Sequence, residues 1–178
     1  MNELSRTIRE MAECLGAVAT GIATTKTLEG GPPSADLTYV LPDARAALCF
    51  ALAVDQDLIE PYLKKEDHGS LELNYIRTGT LASGISLEVS RFLEQKGYTS
   101  VPLAANLVYR KDTKHGPYDE KPPIAHTYLA VRSGVGHFGL SGNVLRVNEG
   151  AAIILGSVVT EADLVPTVPL SEEQNYCD

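Results

Sequence analysis

The chain has 178 residues, 44% of them hydrophobic, which suits one domain with a sizeable core, or one plus a small appendage. Its formal net charge of −8 disfavours nucleic-acid binding, because phosphate contact needs clustered Lys and Arg. No run of 18 apolar residues occurs, and Met1-Asn2-Glu3-Leu4-Ser5-Arg6 has neither a basic segment before an apolar one nor a twin arginine, so no membrane span and a cytoplasmic location are expected.

Leu4, Ile8, Met11 and Leu15 fall on one helical face, with Asn2 as N-cap and Gly16 as stop. Residues 17–24 are apolar and β-prone and predict a first strand, followed by a loop over 26–37 that contains Gly30-Gly31-Pro32-Pro33. The continuous apolar run at 44–54 predicts a strand covered on both faces. Residues 70–96 predict a helix, with Leu81, Ile85, Val89 and Phe92 as its stripe and Gly97 as its stop. A short strand over 100–107 and a polar loop over 110–123 follow. Residues 126–133 predict a short helix. Residues 143–147 and 151–160 predict two strands paired through the turn Asn148-Glu149-Gly150.

The three cysteines form no disulfide pattern. Cys14 and Cys49 lie in apolar surroundings and are expected to be small core residues. No His, Cys or acidic residues stand at zinc spacing.

The most informative segment is Ser133-Gly134-Val135-Gly136-His137-Phe138-Gly139-Leu140-Ser141-Gly142-Asn143, which contains G-x-G-x-x-G. A dinucleotide site needs a strand before this motif and a helix after it; here the expected order is reversed. A phosphate-binding P-loop is excluded, since no Gly-Lys-Ser/Thr follows. Two readings remain. The glycines leave bare main chain to lie against a large flat ligand, or they make a tight helix-to-strand connection. Just before the loop, His126 and Tyr128 are candidate proton donors, and each is also a plausible packed side chain. His137 lies inside the loop; His68 and His115 read as surface residues.

Gly134-Val-Gly-His-Phe-Gly139, the turn at Gly150, the strand Ile153-Ile-Leu-Gly-Ser-Val-Val-Thr160 and the closing Tyr176-Cys177-Asp178 together resemble the epoxyqueuosine reductases and the corrinoid-dependent reductive dehalogenases. Fainter likeness extends to residues 15–23 and 87–98. The resemblance implies an α/β (α+β) fold of the nitroreductase-like kind, a three-layer arrangement of a mixed sheet flanked by helices. It implies a cobalamin-binding domain over residues 1–165, with Gly134 to Asn143 at the corrin. Residues 166–178 would then link to a [4Fe–4S] module, with Cys177 at the place of a first cluster ligand, in a run of the type C-x2-C-x2-C-x3-C-P. It further implies a small-molecule substrate and electrons delivered through iron–sulfur clusters; a homodimer is compatible with it. Counting back from the loop places Glu120 where the epoxyqueuosine enzymes carry a catalytic Asp, so Glu120, His126 and Tyr128 are the catalytic candidates.

The chain departs from the family pattern at Leu140, where Lys or Arg is usual, and at Thr160-Glu161-Ala162, where Thr-Asp-Leu is usual. Two alternatives accompany this expectation. One is an FMN-binding nitroreductase-like enzyme, although the usual Arg-Ser phosphate segment is not found near the N-terminus. The other is a non-catalytic corrinoid or electron-transfer protein.

Overall fold

The structure, a computed structural model, describes residues 2–103, 105, 122–171 and 173. Helix α1 spans Glu3–Cys14, and the Asn2 side chain accepts from the Ser5 amide as the predicted N-cap. Strand β1 is Ala19–Thr24 and strand β2 is Ala46–Ala53. Between them the chain makes three single 3-10 turns. The short helix α2 (Ile59–Leu63) leads into the long helix α3 (Gly69–Gln95), which stops before Gly97 at a φ of +89°. Strand β3 (Ser100–Leu103), helix α4 (His126–Arg132), the two-residue strands β4 (His137–Phe138) and β5 (Val144–Leu145), and strand β6 (Ile153–Thr160) complete the order.

Four strands form one sheet in the order β1-β2-β6-β3, and each of its three pairings is antiparallel. Side chains alternate across β2, so the sheet feeds two cores. Ala46, Leu48, Phe50 and Leu52 meet Ile8 of α1 and Ile85, Val89 and Leu93 of α3 on one face. Ala47, Cys49 and Ala51 meet Leu129 and Ala130 of α4, with Leu37, Val135 and Val144, on the other. The helix–sheet–helix layering and the α/β class are as expected. The sheet pairs described are all antiparallel, so the fold takes the α+β form of that class. No described helix is long and apolar enough to cross a membrane.

Two expectations are corrected. The segments at 143–147 and 151–160 do not pair with each other. Strand β5 pairs with β4 inside the glycine loop, and β6 runs between β2 and β3. The turn at 148–150 does form, closed by a bridge between Arg146 and Gly150. A strand of eight mostly buried residues needs hydrogen-bond partners on both edges, and only the centre of the sheet provides them. Cys14 is exposed rather than in the core. The buried face of α1 is carried by Ser5, Ile8 and Ala12, and position 14 lies two residues on, turned away from it.

Residues 163–168 pack back on the domain. The Val165 amide donates to Ser5 Oγ (2.9 Å), and the Thr167 amide donates to the Ile22 carbonyl (3.0 Å). The first residues of the expected linker therefore lie along the free edge of β1.

Candidate functional site

Gly134, Gly136 and Gly139 of the loop each meet a demand set within the chain. The Gly134 amide donates to the Val131 carbonyl (3.2 Å) and the Val135 amide to the Ala130 carbonyl (2.8 Å). With Gly134 at a φ of +77°, this is the left-handed glycine cap that ends a helix, here α4. A Cβ on Gly134 would lie 2.3 Å from the Val168 carbonyl oxygen. A Cβ on Gly136 would meet Val144 Cγ1 at 2.5 Å and the Leu145 carbonyl oxygen at 2.7 Å, and one on Gly139 would meet Leu145 Cδ1 at 2.6 Å. The loop is thus a compact hairpin, turned between Gly139 and Asn143 (amide to carbonyl, 2.8 Å).

Arg146 clamps this hairpin to its surroundings. Its guanidinium donates to the Val135 carbonyl (Nη1, 2.7 Å) and to Glu149 Oε2 (Nε, 2.8 Å), both side chains being largely buried. Of the ten loop residues expected at a cofactor, Gly134, Val135, Gly136, His137, Phe138, Gly139, Leu140, Ser141 and Gly142 do not line the cavity beside α4 and β6, and Asn143 does. His137 Nε2 is buried without a hydrogen-bond partner among the described residues.

That cavity, of about 820 Å³, lies between α4, β6 and the start of the loop region at 32–34. Pro32, Pro122, Pro123, Ile124, Ile153 and Leu155 give it apolar walls, and Val144 brings the hairpin to its edge. Ser34, His126, Thr127 and Asn143 supply polar groups at its surface. The volume lies in the upper part of the range of roughly 300–1,000 Å³ usual for small-molecule and cofactor pockets, and the lining is about evenly polar and apolar.

His126 opens α4 at this cavity, and its Nδ1 lies 2.9 Å from Ser157 Oγ of β6. Tyr128 is two residues further on, which on a helix directs it elsewhere. Its ring lies where a Cβ on Gly31 would be only 2.5 Å from Cε1, and the Arg132 guanidinium stands 6.0 Å from its centroid. Tyr128 does not line the cavity, so His126 and Tyr128 do not converge on one point. Glu120 and Cys177 lie outside the described residues, as does His115. His68 precedes α3 and packs edge-on to Tyr62 at 4.9 Å. Among the described residues no cluster of three or more His, Cys, Asp or Glu could hold a metal ion.

Sequence reasoning did not single out Ser157, which sits opposite Cys49 in the β2–β6 register. Its signal was the alternation along β6: residues 153, 155 and 157 share one face, and the first two line the cavity. Burial holds the Cys49 thiol up at about 12, so it is a neutral thiol across the physiological range.

No family model matches the chain, and no curated protein does. Among solved structures, the chain is similar to an epoxyqueuosine reductase from Bacillus subtilis, with a TM-score of 0.65 at 14% identity over 99% of this chain and 50% of that one. It is similar to a reductive dehalogenase described in terms of B12-dependent dehalogenation, with a TM-score of 0.65 at 19% identity over 98% of this chain and 22% of that one. An epoxyqueuosine reductase from Streptococcus thermophilus aligns at a TM-score of 0.54 and 16% identity, over 96% and 49%. The chain therefore has the fold shared by these two groups of reductases. It spans about half the length of the epoxyqueuosine reductases and about a fifth of the dehalogenase.

Proposed function

We propose that this chain is a cobalamin-binding domain of an iron–sulfur-dependent reductase, and that the cavity beside α4 and β6 receives the corrinoid together with a small-molecule substrate. The observation that carries this reading is the cavity itself, about 820 Å³, lined about evenly by polar and apolar groups with an imidazole at its surface. The fold it occurs in supports the reading, since one of the similar solved proteins is described as B12-dependent.

The residues present fit such a group. A corrin ring has flat apolar faces and a rim of amides. Pro122, Pro123, Ile124, Ile153 and Leu155 suit the faces, while Thr127, Asn143 and Ser34 suit the rim. In this account the glycine loop acts from behind the cavity wall. Its close packing brings Val144 and Asn143 to the edge, and it needs no direct contact of residues 134–142 with the ligand. Bound there, a cobalamin would supply the cobalt through which electrons reach the substrate. His126 would give a proton to the reduced substrate. The electrons would come from a [4Fe–4S] donor, with Cys177 as one of its ligands.

Desalting after incubation with hydroxocobalamin, and separately with FMN, tests the proposal. Retention of a corrinoid with a base-off spectrum is the expected result. Retention of flavin alone would replace cobalamin with FMN, and retention of neither would remove the cavity's assigned ligand.

A further inference from the structure

The first turns of α3 stand clear of the domain. Of residues 69–80 only Leu71 is buried. On the side turned away from the core, Leu73 is 44% exposed, Ile76 60% and Leu87 40%. Large apolar side chains left open along one helix call for a partner, since a helical segment without packing has little stability in water. Positions 73, 76, 80, 83 and 87 step along α3 as a heptad does, with Leu73, Thr80 and Leu87 at a and Ile76 and Ser83 at d. Between Gly69 and Leu87 the only charged residues are Glu72 and Arg77. They fall at g and e, on opposite flanks of the apolar seam, and neither makes an ion pair among the described residues. An apolar strip depleted of charge, with what charge there is kept to its rim, has the composition of a protein interface.

We infer that α3 is the contact through which two copies of this chain pair, the two helices side by side and parallel, with Leu73, Ile76 and Leu87 of each in the seam. The charges choose both the partner and the direction. In a parallel pair each g position faces the e position of the next heptad on the other helix. Glu72 thus meets the partner's Arg77, and Arg77 meets the partner's Glu72, so the surface complements itself as a two-fold contact requires. An antiparallel pair sets like flanks together, and would bring Arg77 to the flank that carries the partner's Arg77 and Arg91. Gly79 lies beside the seam with nothing within 4 Å of where its Cβ would stand, so the packing of one copy makes no use of its small size. A second helix does, because a missing Cβ lets it approach closely. Tyr75 is turned away from the seam and lines the cavity, so the two surfaces of α3 are separate. The seam is short, and the dimer it supports is a reversible one.

Sedimentation equilibrium of the whole chain over a range of concentrations tests this. The expected result is a reversible monomer–dimer equilibrium. Ile76→Glu should raise its dissociation constant about a hundredfold or more, since two isoleucines leave the seam. Arg77→Glu and Glu72→Arg should each raise it roughly fivefold at low salt by setting like charges together, and the variant carrying both changes should recover the parent's value. All these positions are exposed, so the variants should keep the parent's circular dichroism spectrum. A chain that stays monomeric at every concentration overturns the inference, as does a dimer unaffected by Ile76→Glu in a folded variant. If Ile76→Glu does not fold, the charge variants decide: a double variant as weak as the single ones overturns the pairing. These measurements need no corrinoid, so a failure to retain cobalamin counts against the proposed function and leaves the dimer result standing.

Discussion

Gly136→Ala isolates the packing that builds the edge of the cavity. A Cβ there would come within 2.5 Å of Val144 Cγ1 and 2.7 Å of the Leu145 carbonyl oxygen. The valine methyl can turn aside, but the carbonyl belongs to the β5 backbone, so the β4–β5 hairpin must open to admit the methyl group. Forcing a methyl into such a contact costs about 1–3 kcal/mol, as other overpacked sites do. Gly84→Ala is the internal control. Gly84 lies mid-helix in α3 and nothing stands within 4 Å of where its Cβ would be. The same methyl there restricts the unfolded chain and removes a helix-breaking residue, a gain of about 0.5–1 kcal/mol. Urea unfolding followed by circular dichroism should therefore move the two midpoints in opposite directions. Corrinoid retention should fall in Gly136→Ala and stay unchanged in Gly84→Ala. If Gly136→Ala lies within about 0.5 kcal/mol of the parent, the range of ordinary surface changes, the glycines of the loop are not there for close packing.

Three further outcomes follow from the same geometry. Arg146→Ala removes charge-assisted bonds to the Val135 carbonyl and to the largely buried Glu149, and should cost on the order of 2–3 kcal/mol by chemical denaturation; a change inside experimental error would mean the clamp carries nothing. Burial raises the Cys49 thiol from 9.0 to about 12, so the unfolded chain releases this proton at lower pH than the folded one. The stability that goes with the protonated thiol is complete below pH 9 and is lost between 9 and 12, at about 1.4 kcal/mol per pH unit. Stability measured across that window should fall less steeply in Cys49→Ala than in the parent, and parallel curves would contradict the buried-thiol assignment. Thr167→Val removes the oxygen that accepts from the Ile22 amide (2.8 Å) and donates to the Ser133 carbonyl (2.6 Å). Faster hydrogen exchange at Ile22 is expected, and unchanged exchange would detach residues 165–168 from the domain.

The elements whose signals are local could be read from the residues alone. Asn2 caps α1 as its side chain predicts, the 44–54 run gives β2 with cover on both faces, and Gly97 ends α3. What could not be read were the contacts between distant segments. The Asn148-Glu149-Gly150 turn is real, yet β6 leaves it for the middle of the sheet because β2 and β3 complete its two edges. The glycine loop suggested bare main chain turned toward a ligand. Gly134, Gly136 and Gly139 also meet close neighbours that the sequence does not show, Val168 from the tail and Val144 and Leu145 from the facing strand. His126 was recognisable by its chemistry and its place before the loop. Ser157, whose Oγ lies 2.9 Å from its Nδ1, was hidden in an apolar strand until the β2–β6 register set it opposite Cys49.

The central claim is that the space between α4 and β6 holds a corrinoid. It is tested most directly by titrating the chain with hydroxocobalamin, followed by absorbance, in the parent and in Ala151→Trp. Ala151 is exposed and lines the cavity, so an indole there fills space without disturbing the core. Saturable binding with a base-off spectrum in the parent, and its loss in a folded Ala151→Trp, is the predicted pair of results. Equal binding by both proteins would place the ligand elsewhere, and no binding by the parent would contradict the account.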